Sequence, residues 1–190
     1  MSTLKALLCG VFSLQNFSLG YCSISNTILE AVMSAVVIIQ AGGTIDKDYL
    51  AGDGHHGYNF LIDKPAVIAI AQRANIPYPL SYCYACQKDS LDMTDDDRNA
   101  IKGVVAGVIY NKIIITHGTD TILLTALHLA DLELGNKVVV LTGAMKPERF
   151  HNSDADFNFG MAMGTVHSAP PGIYIALYGE VTRWDEFVPR

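Results

Sequence analysis

Five short runs rich in β-branched residues, at 36–40, a weaker one at 79–85, then 112–116, 137–142 and 172–177, alternate along the chain with longer amphipathic stretches. Near-continuous valine and isoleucine, without a polar residue at every second position, fits strands buried on both faces, which in practice means parallel strands covered by helices above and below. The stretches between them carry helical spacing at 64–74, 95–106, 121–132 and 154–166. Thr94-Asp95-Asp96-Asp97 opens the second of these, acids that suit a helix N-terminus, and Gly103 and Gly107 are expected to mark its end. Five strands joined by four helical crossovers predict an α/β fold, a three-layer sandwich with a mainly parallel sheet of the flavodoxin-like or Rossmann-like kind.

The predicted domain occupies residues 35–190, and residues 1–34 read as an N-terminal extension. Residues 4–14 are largely apolar with one lysine, Lys5, and resemble a secretory leader, but no clean small-residue cleavage site follows, so a cytoplasmic protein is expected with a leader as the alternative. Thr27-Ile28-Leu29-Glu30 has the form of a capping box and predicts a short helix through Ser34. Half of the 190 residues are hydrophobic and 17% are charged, which fits one well-buried globular domain. The net charge of −6, with no cluster of Lys or Arg, argues against nucleic acid and against an anionic membrane as the main partner. A small-molecule site is the expectation that remains.

Cys83-Tyr84-Ala85-Cys86 has the spacing of a redox or metal pair, yet no second Cys/His pair accompanies it. In an extended segment the two thiols point to opposite faces, so they are read as small apolar fillers, with no metal and no cofactor expected. Gly52-Asp53-Gly54-His55-His56-Gly57 matches a dinucleotide fingerprint by letters alone. It lacks the strand directly before it and the helix opening at it, so a mobile loop is expected instead.

Ligands of an open α/β sheet bind outside the carboxyl ends of the strands, so the residues just after each run carry most of the information. They are Ala41-Gly42-Gly43-Thr44-Ile45, Lys88-Asp89-Ser90-Leu91-Asp92-Met93, His117-Gly118-Thr119-Asp120-Thr121 and Gly143-Ala144-Met145-Lys146-Pro147, and all four are expected to converge on one rim. Taken singly they permit plain readings: Thr119, Asp120 or Thr121 as a helix N-cap, and Gly42 and Gly43 as a tight turn. Taken together, two Gly-Thr turns with a following carboxylate offer backbone access, a hydroxyl nucleophile and a grip for an amino group.

These motifs, with Gly172-Ile173-Tyr174-Ile175, resemble the bacterial-type L-asparaginase family from about Val36 to Val181, in the family's order. The resemblance implies the family's N-terminal domain and hydrolysis of L-asparagine to L-aspartate and ammonia, without metal or cofactor. By position it implies Thr44 as nucleophile, Tyr58 as the tyrosine of a flexible loop over it, and Thr119 as the second catalytic threonine. It implies Ser90 for the substrate α-carboxylate and Asp120 for its α-amino group, with Gly43, Gly118 and Asp89 lining the substrate and Asp154 and Asn158 in support. Gly-rich turns supply backbone N–H groups suited to a developing oxyanion.

Three departures bear on activity. Residues 182–190 hold no lysine where the family has one, and Arg190, read as a fraying terminal residue, cannot act as a base. Leu91 stands where glutaminase-competent members commonly carry a polar side chain. The resemblance covers only the first of the family's two domains. Two functions are therefore carried forward: an asparaginase-like amidohydrolase, and a catalytically weak module that binds aspartate or asparagine. A homo-oligomer is expected from the high apolar content, and a mobile lid from residues 46–59.

Overall fold

The computed structural model describes residues 35–49 and 60–190. The short helix expected before Ser34 and the loop expected at 52–57 lie outside the described residues. The chain forms β1 (Val36–Gly42), β2 (Lys47–Tyr49), β3 (Phe60–Ile62), α1 (Ala66–Arg73), β4 (Leu80–Lys88), α2 (Asp95–Gly107), β5 (Lys112–Thr116), α3 (Ile122–Leu129), β6 (Val138–Thr142), α4 (Ala155–Ser168), β7 (Gly172–Leu177) and β8 (Glu180–Arg183). Among the described residues the main sheet has six strands in the order β4-β1-β5-β6-β7-β8, all parallel except β8. Counting only parallel strands, the spatial order is second, first, third, fourth, fifth, the flavodoxin-like winding, with its switch point between β1 and β5.

Each β-branched run divides its side chains between two helix layers. Val37, Ile39, Ile113, Ile115, Val139, Leu141, Ile173 and Ile175 pack with Ile101 and Val105 of α2 and with Ile122, Ala126 and Leu129 of α3. Val36, Ile38, Ile114, Val138, Val140, Tyr174 and Ala176 pack on the other face with Val67 and Ile70 of α1 and with Phe159, Met163 and Val166 of α4. The three-layer sandwich follows directly from the unbroken apolar pattern.

Several details differ from the sequence reading. β4 extends to Lys88 rather than Ala85, because among the described residues it is an edge strand paired only with β1 and tolerates Gln87 and Lys88 facing water. Between Gln40 and Gly42 on β1 the partner advances from Tyr84 to Lys88, so β4 carries two extra residues there. That irregularity brings both Cys83 and Cys86 against the same core cluster instead of opposite faces. β8 was not anticipated; it returns along β7 through Tyr178 and Gly179, whose φ values of 58° and 82° make the tight turn a right-twisted hairpin favours. α2 runs through Gly103 and stops at Gly107, and Pro65 at the N-cap delays α1 to Ala66. The segment read as a lid from Asp46 onward begins instead as β2, paired with β3, and Asp46 itself is buried.

Candidate active site

At the switch point, β1 ends at Gly42 with φ of 104°, and Gly43, with φ of 86°, opens the one-turn helix Thr44–Asp46, both in a region that side chains rarely occupy. A β carbon on Gly43 would collide with the backbone of Gly118 and with the carbonyl carbon of His117. One on Gly118 would strike the Ser90 side chain, and one on Gly143 would strike the His117 carbonyl oxygen. The four turns expected to share a rim are thus in direct contact. Thr44 and Thr119, each one residue beyond the touching glycines, are half-buried, Asp120 is exposed and Ser90 is 1% exposed. Tyr58 lies outside the described residues.

The first turn is fastened from below. Gly43 N–H donates to the Lys88 carbonyl at 2.9 Å, and Asp46 N–H donates to the Gly43 carbonyl at 3.1 Å. The buried Asp46 carboxylate accepts the Ala66 amide at 2.8 Å, Gln40 Nε2 at 3.0 Å and Thr116 Oγ1 at 3.2 Å, joining β1, β5 and the start of α1. Burial raises its pKa to about 6, against the opposing pull of these three donors, and Glu148 adds a smaller push upward. In the sequence Asp46 reads only as the start of a loop, because a lone acid after a Gly-Thr turn carries no periodic signal.

Ser90 sits on the second turn, Ser90–Asp92, capped by Asp89, whose carboxylate accepts Leu91 N–H at 3.1 Å and pairs with Lys47 Nζ at 2.5 Å. Lys47 is the main reason its pKa lies below the ordinary carboxylate value. The end of this loop is held by the capping box of α2, where Thr94 and Asp97 bond each other and Lys88 pairs with Asp97 at 2.8 Å. Lys88 holds the Asp97 carboxyl down at about 2. The Ser90 Oγ atom is buried over Gly118 with no hydrogen-bond partner among the described residues. Orphaned buried hydroxyls are uncommon in folded proteins and mark places where a partner is missing.

The third turn is not a plain helix cap. Thr121 occupies the N-cap position of α3 but makes no capping bond; its hydroxyl donates to the Ser90 carbonyl at 2.8 Å. His117, fully buried, places Nδ1 2.8 Å from the Gly118 carbonyl, so that nitrogen carries the proton, and Nε2 accepts from the Thr125 hydroxyl at 2.7 Å. Burial lowers its pKa to about 4 and keeps the ring neutral. Only the fold brings Thr125, one helical turn into α3, back onto His117. Asp154 and Asn158 brace the fourth turn: the Asp154 carboxylate accepts the amides of Met145 and Lys146, and Asn158 Nδ2 donates to the Gly143 carbonyl at 3.0 Å.

Other candidates fall elsewhere. Arg190, expected to fray, donates from its guanidinium to Glu180 at 2.9 Å and lies 5.5 Å from the centre of the Tyr178 ring. Cys86 donates weakly to the Ala41 carbonyl at 3.2 Å, and burial raises its pKa to about 11, the opposite of a reactive thiol. No group of three or more metal-binding side chains occurs among the described residues, and no helix among them is long and apolar enough to cross a membrane. A groove of about 490 Å³ between α1 and α4, lined by Ile70, Phe159 and Met163, lies away from the four turns. A cleft of about 530 Å³ lies beside them, lined by Lys47, Phe60, Gln87 and Asp89.

Residues 35–185 match the family model described as Asparaginase, N-terminal. The L-asparaginase of Thermococcus kodakarensis is 40% identical over 73 residues, which is 38% of this chain and 22% of that protein. A glutaminase-asparaginase of Acinetobacter glutaminasificans is 29% identical over 138 residues, 70% of this chain and 42% of that one. Among solved structures, the thermostable L-asparaginase from Thermococcus kodakarensis superposes with a TM-score of 0.67 at 27% identity, covering 79% of this chain and 46% of that chain. The match thus spans less than half the length of these relatives.

Proposed function

We propose that this chain, which belongs to the asparaginase family by the match of residues 35–185, is an amidohydrolase that converts L-asparagine to L-aspartate and ammonia. The observation that carries the reading is the contact of Gly43 with Gly118, which brings Thr44, Thr119 and the unpartnered Ser90 hydroxyl to one rim. In this reading Thr44 Oγ1 attacks the side-chain amide carbon, the C–N bond breaks, and the departing nitrogen takes up the hydroxyl proton to leave as ammonia. Water then attacks the acyl ester, returns a proton to Thr44 and releases aspartate. Thr119 and Tyr58 belong to the proton relay, and a positioned relay contributes ~10²–10⁴-fold.

Ser90 receives the α-carboxylate and the exposed Asp120 the α-ammonium. Gly43 N–H is already committed to Lys88, so the oxyanion donor is another amide of these turns, and Gly43 and Gly118 serve by letting the substrate and the two turns approach closely. Asp89, tied to Lys47, frames the mouth. The boundary at residue 35, a cytoplasmic setting, a homo-oligomeric state and the absence of nucleic-acid or membrane partners belong to the same proposal. The second reading, a module that binds aspartate or asparagine with little turnover, draws on the engagement of Arg190 with Glu180.

Ammonia release from L-asparagine, with L-aspartate calorimetry alongside, tests both. Thr44→Ala is expected to abolish turnover and leave aspartate affinity nearly unchanged, because lost transition-state contacts appear in kcat. Retained hydrolysis in Thr44→Ala refutes the nucleophile; a parent that binds aspartate but releases no ammonia replaces the enzyme by the binding module.

A further inference from the structure

Arg98, on the first turns of α2, is 5% exposed. A guanidinium carries five N–H donors and is always charged, so burying it normally demands a close carboxylate. Here Nη1 donates to the Met93 carbonyl at 3.1 Å and Nη2 to Thr121 Oγ1 at 3.3 Å, while Nε has no partner among the described residues. The one carboxylate within 4 Å among the described residues is Asp95, at 3.6 Å, whose side chain is 80% exposed and well hydrated. A buried cation is thus left under-compensated directly behind the loop that carries Ser90.

The connection to Ser90 has a fixed polarity. Thr121 accepts from Arg98, which commits its own hydroxyl proton to the Ser90 carbonyl at 2.8 Å. Remove the Arg98 donor and the Thr121 hydroxyl is released to rotate. Leu91, the next residue of the turn, is exposed and its side chain offers no donor. Two orphaned donors, Arg98 Nε and Ser90 Oγ, therefore belong to one short network. We propose that Arg98 is a positioning residue for the α-carboxylate subsite: through Thr121 it fixes the Ser90 turn, and its buried charge favours an anionic group there. The inference rests on the assignment of Ser90 to the α-carboxylate.

Calorimetry with two probes separates this role from a merely structural one: L-aspartate, and β-alanine, which is aspartate without its α-carboxylate. Arg98→Met is expected to weaken L-aspartate about tenfold and β-alanine by less than twofold. Arg98→Lys, which keeps the charge and a donor, is expected to recover most of the loss. In a Ser90→Ala background, Arg98→Met is expected to add little. Thr121→Val, which cuts the relay but keeps the guanidinium, is expected to reproduce the selective loss and decides the matter should Arg98→Met not fold. Unchanged aspartate affinity in folded Arg98→Met and in Thr121→Val, or an equal weakening of both probes, overturns the role of Arg98 while leaving the site itself in place. A parent that binds neither probe overturns the site assignment and this inference together.

Discussion

The stability of this fold between pH 4 and 6.5 is set by two buried groups with opposite signs. Asp46 has a folded pKa of about 6 against an ordinary value of 3.8, so between these limits the folded chain holds a proton the unfolded chain has lost, and stability falls as pH rises. His117 has a folded pKa of about 4 against 6.5, so across nearly the same window the unfolded chain holds the extra proton, and stability rises with pH. At 1.36 kcal/mol per pH unit, a displacement of roughly two units is worth about 3 kcal/mol in each case. The parent is therefore expected to show a nearly level profile. Asp46→Asn removes one arm and unmasks the other: its unfolding free energy is expected to climb by about 3 kcal/mol from pH 4 to 6.5. Its absolute stability also carries the effect of an amide N–H₂ facing Gln40 and Thr116, so the slope is the quantity to read. Urea denaturation at four pH values, followed through the single tryptophan, Trp184, which packs against the core, supplies it. His167, also displaced downward but more exposed, is common to both proteins and cancels in the comparison. Parallel profiles for parent and Asp46→Asn refute the reasoning.

Three further outcomes follow from the same geometry. Gly43→Ala places a methyl against the Gly118 backbone at a φ of 86°, and strain plus overpacking should destabilise the fold by about 2–6 kcal/mol in urea titrations. Asp120→Ala should raise the Kd for L-aspartate by roughly 10–100-fold, the loss of a charged hydrogen bond worth about 1.5–3 kcal/mol, with calorimetry as the measurement. Phe159→Ala, in the core between α4 and the sheet, should lower stability by about 3–5 kcal/mol while leaving aspartate affinity in the folded fraction unchanged.

The sheet was readable because Val36 to Gln40, Ile113 to Ile115 and Val138 to Leu141 are apolar at every position or nearly so, and only burial between two layers explains such runs. β2 and β8 were missed for the opposite reason, since Lys47-Asp48-Tyr49 and Glu180-Val181-Thr182-Arg183 are short and polar, and β3, Phe60-Leu61-Ile62, because three apolar residues are too few to show a period; pairing with a neighbour makes all three strands. At the rim, glycines and threonines were legible from their place after the strands. Asp46, Arg98 and His117 were not, since each acts by contacts with residues 8 to 70 positions away, such as Thr125, Thr121 and Thr116. The bulge in β4 that turns Cys86 inward leaves no trace in a pattern of alternating residues.

The meeting of Gly43 and Gly118 is main chain against main chain, with no side chain between. Separations set in that way depend on covalent geometry and not on rotamers, so the spacing of Thr44 and Thr119 should be indifferent to how either helix layer repacks. Substitutions that loosen the core would carry both threonines as one body. Adaptation to a new substrate has correspondingly little room at the seam itself, where no smaller residue exists to trade, and must come from the surrounding positions such as Leu91 and Asp120 that face outward.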